Sequence, residues 1–335
     1  MYQENQNSSS TKSEDVTGDN VNKSSKPNPF GHLSSNSTDQ KSTGDNDSDN
    51  SENNPMTQKP EEEKTMFQEN QNCSTETEMK KDNKEKIMST KKYKFNQTND
   101  SIDWAPYSWN PVTGCLFGCK YCYARNLANH YPKAFPNGFK PTFHPERLSA
   151  PVNTKLPKET DNGKRNVFVC SMADLFGDWV PQDWIDQVVG ACKKSPDWTY
   201  IFLTKNPKRL IDIDWPKNTY VGTTIDSQSR IPTAVAAFSE LDRHKSRPGA
   251  LFISCEPMQE YLDFGDHGLE VFDWVIVGGR SASNGMKKFQ PEKAWVDSLH
   301  DSARKAGCKI YDKPNLKVKD LIMNPKEYPN QNIFV

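Results

Sequence analysis

Three of the chain's eight cysteines fall in GCLFGCKYCYAR, Gly114 to Arg125, where Cys115, Cys119 and Cys122 are spaced C-x3-C-x2-C. Thiolates are soft ligands and strong nucleophiles, so three on one short segment admit four chemistries. They are thiols that hold nothing, although a run interleaved with Gly and Lys does not read as a core strand. They are three of the four ligands of a zinc ion, with His130 or His144 as the fourth; no second C-x2-C pair follows at finger-like spacing. Cys119 and Cys122 are a C-x-x-C redox pair, with Cys115 left over. Or the three hold an iron–sulfur cluster, in which one iron of a 4Fe–4S unit has no protein thiolate and is open to a small molecule. Cys170, Cys192, Cys255 and Cys308 are scattered in or beside expected strands and helices and form no second cluster.

The elements that must position this loop follow it in the chain. Short apolar, β-branched or aromatic runs recur at Val167–Cys170, Thr199–Thr204, Thr219–Thr224, Ala250–Cys255 and Trp274–Gly279, with a weaker run at Cys308–Asp312 and an earlier strand near Tyr107–Val112. Pro181–Ser195 and Pro291–Gly307 have helical spacing, the second with Pro near its start and Gly as a C-terminal cap. Near-continuous apolar strands alternating with helices predict a parallel sheet covered on both sides. That is an α/β fold: a partial or full TIM-like β/α barrel, with a doubly wound sheet as the alternative. In either, ligands sit at the carboxyl ends of the strands. Those ends read SMADLF, LTKNP, TTID, SCEPM, VGGRS and YDKPN, each polar, charged or Gly-rich directly after an apolar run.

Residues 1–100 differ in kind. All eight tryptophans lie at Trp104 or later, and the first hundred residues are mostly Ser, Asn, Thr, Asp, Glu, Lys and Gln. Such a segment cannot bury enough apolar surface to offset chain entropy and is expected to be a disordered tail, leaving 101–335 as the folded domain. MYQENQN at Met1 returns as MFQENQN at Met66, a duplicated linear segment without an apolar face. The tail carries 13 Lys+Arg against 18 Asp+Glu, and the remainder 30 against 26. The folded part is mildly basic, which permits a nucleic-acid partner without arguing for one. No secretory signal and no membrane-length apolar run is present, so a cytoplasmic protein with reduced thiols and no membrane partner is expected.

With aromatic Tyr121 before the last cysteine, C-x3-C-x2-C resembles the signature of the radical S-adenosylmethionine (SAM) superfamily. The wider set WNPVTGC…GCKYCYA, SMADLF, LTKNPKR, VGTTID, SCEPM and WVIVGGRS is similar to the phage-associated three-Cys-motif family of radical-SAM-like proteins, over roughly residues 101–315. The resemblance implies that Cys115, Cys119 and Cys122 bind three irons of a 4Fe–4S cluster and that the fourth iron chelates SAM. It implies an electron donor, reductive cleavage of the sulfonium, and hydrogen abstraction from a substrate that is unknown. By the same resemblance, Asp174 faces the SAM ammonium and Lys205 its carboxylate. Thr223 and Asp226 reach the ribose, Gly278 and Gly279 let the backbone approach the ligand, and Glu256 and Lys313 face the substrate. Two places depart from the family pattern: Arg280 stands where an acidic residue is common, and Pro314-Asn315 follow Lys313 where Gln-Trp is common.

A nucleic acid is one expected substrate class, since aromatic residues near the basic stretch Lys120–Arg125 suit base stacking. The rival expectation is a non-catalytic module in which a zinc- or cluster-stapled loop recognises nucleic acid or protein. The two differ at the coordination site: an enzyme keeps one iron open, whereas a staple closes with four protein ligands.

Overall fold

The structure is a computed structural model that describes residues 92–98, 102–159, 163–283, 285–324 and 326–329. The duplicated segments and most of the expected tail lie outside the described residues. Of residues 92–98, placed in the tail by composition, Asn96 and Gln97 belong to the sheet. Asn96–Gln97 forms a short strand β1, and Phe95 before it is buried edge-on against Trp198 at 5.0 Å.

The strands follow in chain order: β2 (Tyr107–Trp109), β3 (Val112–Thr113), β4 (Thr142–Phe143), β5 (Asn166–Val169), β6 (Thr199–Thr204), β7 (Thr219–Thr224), β8 (Ala250–Cys255), β9 (Trp274–Val277) and β10 (Lys309–Asp312). The helices are α1 (Tyr123–His130), α2 (Ala150–Asn153), α3 (Gln182–Lys193), α4 (Ile231–Asp242) and α5 (Lys293–Lys305). The main sheet runs β1-β2-β5-β6-β7-β8-β9-β10; β1 is antiparallel to β2 and the other ladders are parallel. β3 and β4 pair separately as a small antiparallel ribbon.

Alternation along the strands sorts the side chains into two apolar layers. Val167, Val169, Tyr200, Phe202, Val221, Leu251, Ile253, Val275, Val277 and Ile310 pack outward against helix residues such as Val188, Phe238 and Leu299. Phe168, Ile201, Tyr220, Phe252, Trp274, Ile276 and Tyr311 form a second cluster on the opposite face around Trp104, from the loop before β2. Trp104 lies 4.7 Å from Phe168 on β5 and 6.3 Å from Trp274 on β9, so those rings are within about 11 Å of each other, although four strand spacings on a flat sheet are roughly 19 Å. The sheet is therefore strongly curled, with Trp104 filling its concave side. Among the described residues β10 pairs with β9 and has no ladder to β1 or β2, so of the expected partial or full barrel they form an open, curled parallel sheet.

Helix termini follow local chemistry. Gly307 has φ 79°, and its amide and that of Cys308 return to Arg304 O and Ala303 O at 3.0 and 2.9 Å, closing α5 as its sequence predicts.

Candidate functional site

The cysteine loop is fastened at both ends. Gly114 has φ 88°, and a Cβ there would lie 2.2 Å from Lys140 O, so only glycine fits where the loop leaves β3. Its amide donates to Met172 O at 2.9 Å, tying the loop to the residues after β5, and the amide of Cys115 donates to Phe139 O at 3.2 Å. Phe117 meets Trp179 edge-on at 4.9 Å. The amide of Cys122 donates to Cys119 O at 3.2 Å, and its Sγ accepts from the amide of Arg125 at 3.4 Å as the N-cap of α1. A thiolate there faces the positive end of the helix.

Cys115, Cys119 and Cys122 are half-buried and outside any disulfide. All three line a cavity of about 1540 Å³ at the carboxyl ends of the strands, together with Asp174, Lys205, Glu256, Gly279 and Lys313. Trp104, Phe168 and Leu203 are also on its wall. Burial pushes the Cys115 thiol up to about 11, with Asp174 and the neighbouring thiols adding to the rise. Burial also raises Cys119, against the attraction of the Lys205 ammonium. Such thiols give up their protons when a cation binds them.

A carboxylate hub stands behind the loop. Buried Asp226 accepts the Tyr121 hydroxyl and Lys205 Nζ (3.1 Å) on Oδ2, and Arg230 Nε (2.5 Å) on Oδ1. Lys205 Nζ lies 5.5 Å from the centre of the Tyr121 ring. Burial acts to raise the Asp226 carboxyl, but Lys205, Tyr121 and Arg230 outweigh it and hold it below the ordinary value. The Tyr121 hydroxyl is pushed up, by burial first and then by the Asp226 charge.

Asp174 is buried and its carboxylate is engaged. Oδ1 accepts the amide of Phe176 (3.0 Å) and the hydroxyl of Thr204 (2.7 Å), and Oδ2 accepts the amide of Lys205 (2.8 Å). Burial raises its pKa against these donors. On the other side of the strand tips Lys313 Nζ donates to Glu256 Oε2 at 2.7 Å, and Asn315 Nδ2 bridges Glu256 Oε1 and Gly279 O, each at 2.9 Å.

Three expected site residues do not line the cavity. Thr223 is on the outward face of β7 and donates to Thr204 O at 2.9 Å; Thr224, one residue on, lines the cavity. Asp226 is consumed by its three donors. A Cβ on Gly278 would lie 3.0 Å from Asn315 Oδ1 and Glu256 Cγ, so Gly278 makes room for these side chains. Gly279 reaches the wall, but its missing Cβ accommodates Gln290 Nε2, which would be 2.4 Å away. Residues that the sequence did not single out are Thr224, Ser254 and Arg230, and Asn315 stood out only as a departure from the family pattern. Strict alternation from buried Phe252 points to Ser254, and from Tyr220 to Thr224; nothing local marks Arg230.

Among the described residues no three His, Cys, Asp or Glu side chains gather at one ion-sized point. His144 is occupied by Thr113 Oγ1 at 2.9 Å and by Glu146, and His130 packs against Tyr131. The donors that this site offers to a metal centre are the three loop thiols.

Residues 99–315 match the family described as protein of unknown function (DUF5131), and the chain belongs to that family. No curated protein matches it. Solved structures of spore photoproduct lyase are similar. For a double mutant with bound AdoMet and dinucleoside spore photoproduct, the identity is 13%, the TM-score 0.45, and the match covers 65% of this chain and 78% of that one. For the lyase complexed with dinucleoside spore photoproduct, the values are 15%, 0.41, 67% and 80%.

Proposed function

We propose that the chain holds a 4Fe–4S cluster through Cys115, Cys119 and Cys122, binds S-adenosylmethionine beside it, and uses the pair for radical chemistry on a substrate in the same cavity, with nucleic acid as the substrate class. The observation that carries this reading is the placement of three thiols from one loop on the wall of a cavity lined by charged strand tips. When bound, the two cofactors supply one-electron cleavage of the sulfonium and a hydrogen-abstracting radical.

The chain's own residues bind, orient and exclude water. Gly114 and the Phe117–Trp179 contact fix the loop. Lys205, already neutralised in part by Asp226, offers an ammonium on the cavity wall for a carboxylate ligand. Asp174 braces the tip of β6 through the Lys205 amide, and offers negative charge to an ammonium. Glu256 and Lys313 form a charge pair that can receive or return a proton at a bound substrate. The aromatic wall of Trp104 and Phe168 keeps that end of the cavity dry.

The test is anaerobic reconstitution, dithionite reduction and electron paramagnetic resonance with and without SAM, alongside iron and zinc analysis. Expected are a reduced-cluster signal that SAM alters, loss of iron in Cys119→Ala, and retained iron in His130→Ala. Bound zinc without iron, lost equally in Cys119→Ala and His130→Ala, would instead establish a stapled binding module.

A further inference from the structure

The cations around the cavity are not equivalent. Of the cations on the cavity wall, Lys205 is paired with Asp226, Lys313 with Glu256, and Arg147 lies 3.9 Å from Glu146, while Lys92 and Lys94 reach the wall from the segment before β1. Arg280 also lines the cavity, yet among the described residues no carboxylate comes within ion-pair distance of it. Its partners are neutral: Nη1 donates to Gln259 Oε1 at 3.3 Å, Nε to Lys287 O at 3.4 Å, and its guanidinium carbon lies 5.3 Å from the centre of the Phe289 ring. A short hairpin arm, bridged from Arg280 to Phe289 and from Ser283 to Met286, carries it. The guanidinium is oriented by this arm, and among the described residues it faces no carboxylate, as suits an anion-binding group.

The same cavity has an uncovered apolar face. Tyr123, Leu127 and Tyr131 of α1 and its C-cap recur four residues apart and are 48%, 41% and 53% exposed, although all three line the cavity. The Tyr123 hydroxyl donates to Ser171 O at 2.6 Å, which fixes its ring. Helix positions at this spacing share one face, and that face normally packs into the core. Here it is turned to the cavity.

We infer that the cavity is a nucleotide subsite: Arg280 receives a phosphate oxygen of a nucleic-acid strand, and the Tyr123–Leu127–Tyr131 face receives its bases. A cation held by neutral partners and a face of two exposed rings flanking Leu127 are complementary to a ligand that is both anionic and flat. The inference rests on the proposal that substrate enters this cavity, but it does not depend on cluster chemistry.

The experiment is a fluorescence-anisotropy titration of the full chain with a 5′-labelled single-stranded DNA octanucleotide over a salt series, for wild type, Arg280→Ala, Arg280→Lys and Tyr131→Ala. Arg280→Ala is expected to weaken binding about tenfold and to reduce the salt slope by about one ion. Arg280→Lys keeps the slope, and Tyr131→Ala weakens binding without changing it. Absence of binding by the wild type, or an Arg280→Ala slope equal to the wild-type slope, overturns the inference, since a merely structural arginine would leave the slope alone. Circular dichroism of each variant checks that it is folded, and Arg280→Gln repeats the charge removal should the alanine variant not fold. Failure of the radical reading shows separately, as absence of cluster iron while these binding shifts persist.

Discussion

Tyr121 hydrogen-bonds to Asp226 across 105 residues of sequence, joining the cysteine loop to the segment that leaves β7. Because Asp226 also holds Lys205 and Arg230, one carboxylate fixes the loop, a cation on the cavity wall and the turn before α4. Tyr121, one of the two residues between the second and third cysteines, is thus anchored to the sheet independently of any bound metal.

Tyr121→Phe keeps the ring and removes this anchor. It is expected to lower stability by about 1 kcal/mol and to speed amide exchange over residues 114–122 in metal-free protein. Hydrogen-exchange mass spectrometry reads the second effect directly, and unchanged exchange in the loop would show that the bond does not hold it.

The acid limb of stability should carry the signature of Asp226. Its folded pKa lies below the ordinary value of 3.8, because Lys205, Tyr121 and Arg230 overcome the effect of burial. Near that value the unfolded chain binds more protons, so the stability contributed by Asp226 is complete above it and is lost as pH falls through the folded pKa. Melting curves of metal-free wild type and Asp226→Asn should differ at neutral pH and converge in acid. A gap that stays constant down to about pH 3 contradicts the assignment.

Gly114→Ala places a methyl group against the Lys140 carbonyl at a positive φ. Loss of about 2 kcal/mol or more is expected, with reduced iron uptake on reconstitution. Gly118→Ala, also at positive φ but facing open space, should be milder. Urea denaturation and iron content of the two variants, measured together, separate the steric contribution from the conformational one.

Lys313 is nearly buried beside Glu256. Glu256→Ala breaks the ion pair and the Asn315 bond and is expected to cost about 3 kcal/mol. Adding Lys313→Met should restore part of the loss, because no half of the pair then remains at the site. A double mutant as unstable as the sum of the single changes would show that the pair is not coupled.

The long strands were legible as runs of apolar, β-branched or aromatic residues: Thr199–Thr204, Thr219–Thr224 and Ala250–Cys255 have the bounds their composition predicts, whereas the two-residue β1 and β4 were not singled out. Three helices were not singled out: α1, the four-residue α2 and α4. In α1 the apolar spacing of Tyr123, Leu127 and Tyr131 faces a cavity, so it is embedded in polar sequence and reads as loop. In α4, IPTAVAAFSELD is apolar nearly all round and has no sharp face to give the helical period. Barrel closure was not legible either, since it depends on a ladder between first and last strands that no local run encodes.

The site divides in the same way. The cysteines and the strand tips were visible as residue types at the ends of apolar runs. Thr223 and Thr224 are both threonines at one tip, and only the alternation counted back from Tyr220 separates the wall residue from its outward neighbour. Asp226 looked like a ligand-facing group because acidic residues after strands often are. Its three donors come from the cysteine loop, β6 and the turn before α4, a convergence that exists only in three dimensions.

Trp104 makes the two ends of the curled sheet different materials. Below it, interlocked rings from β5 through β10 set the curvature; above it, polar tips surround open space. Substitution of a tip residue leaves the rings that bend the sheet in place. The hollow end can therefore diverge in chemistry while the solid end keeps the architecture constant, a separation that lets one scaffold carry different reactions.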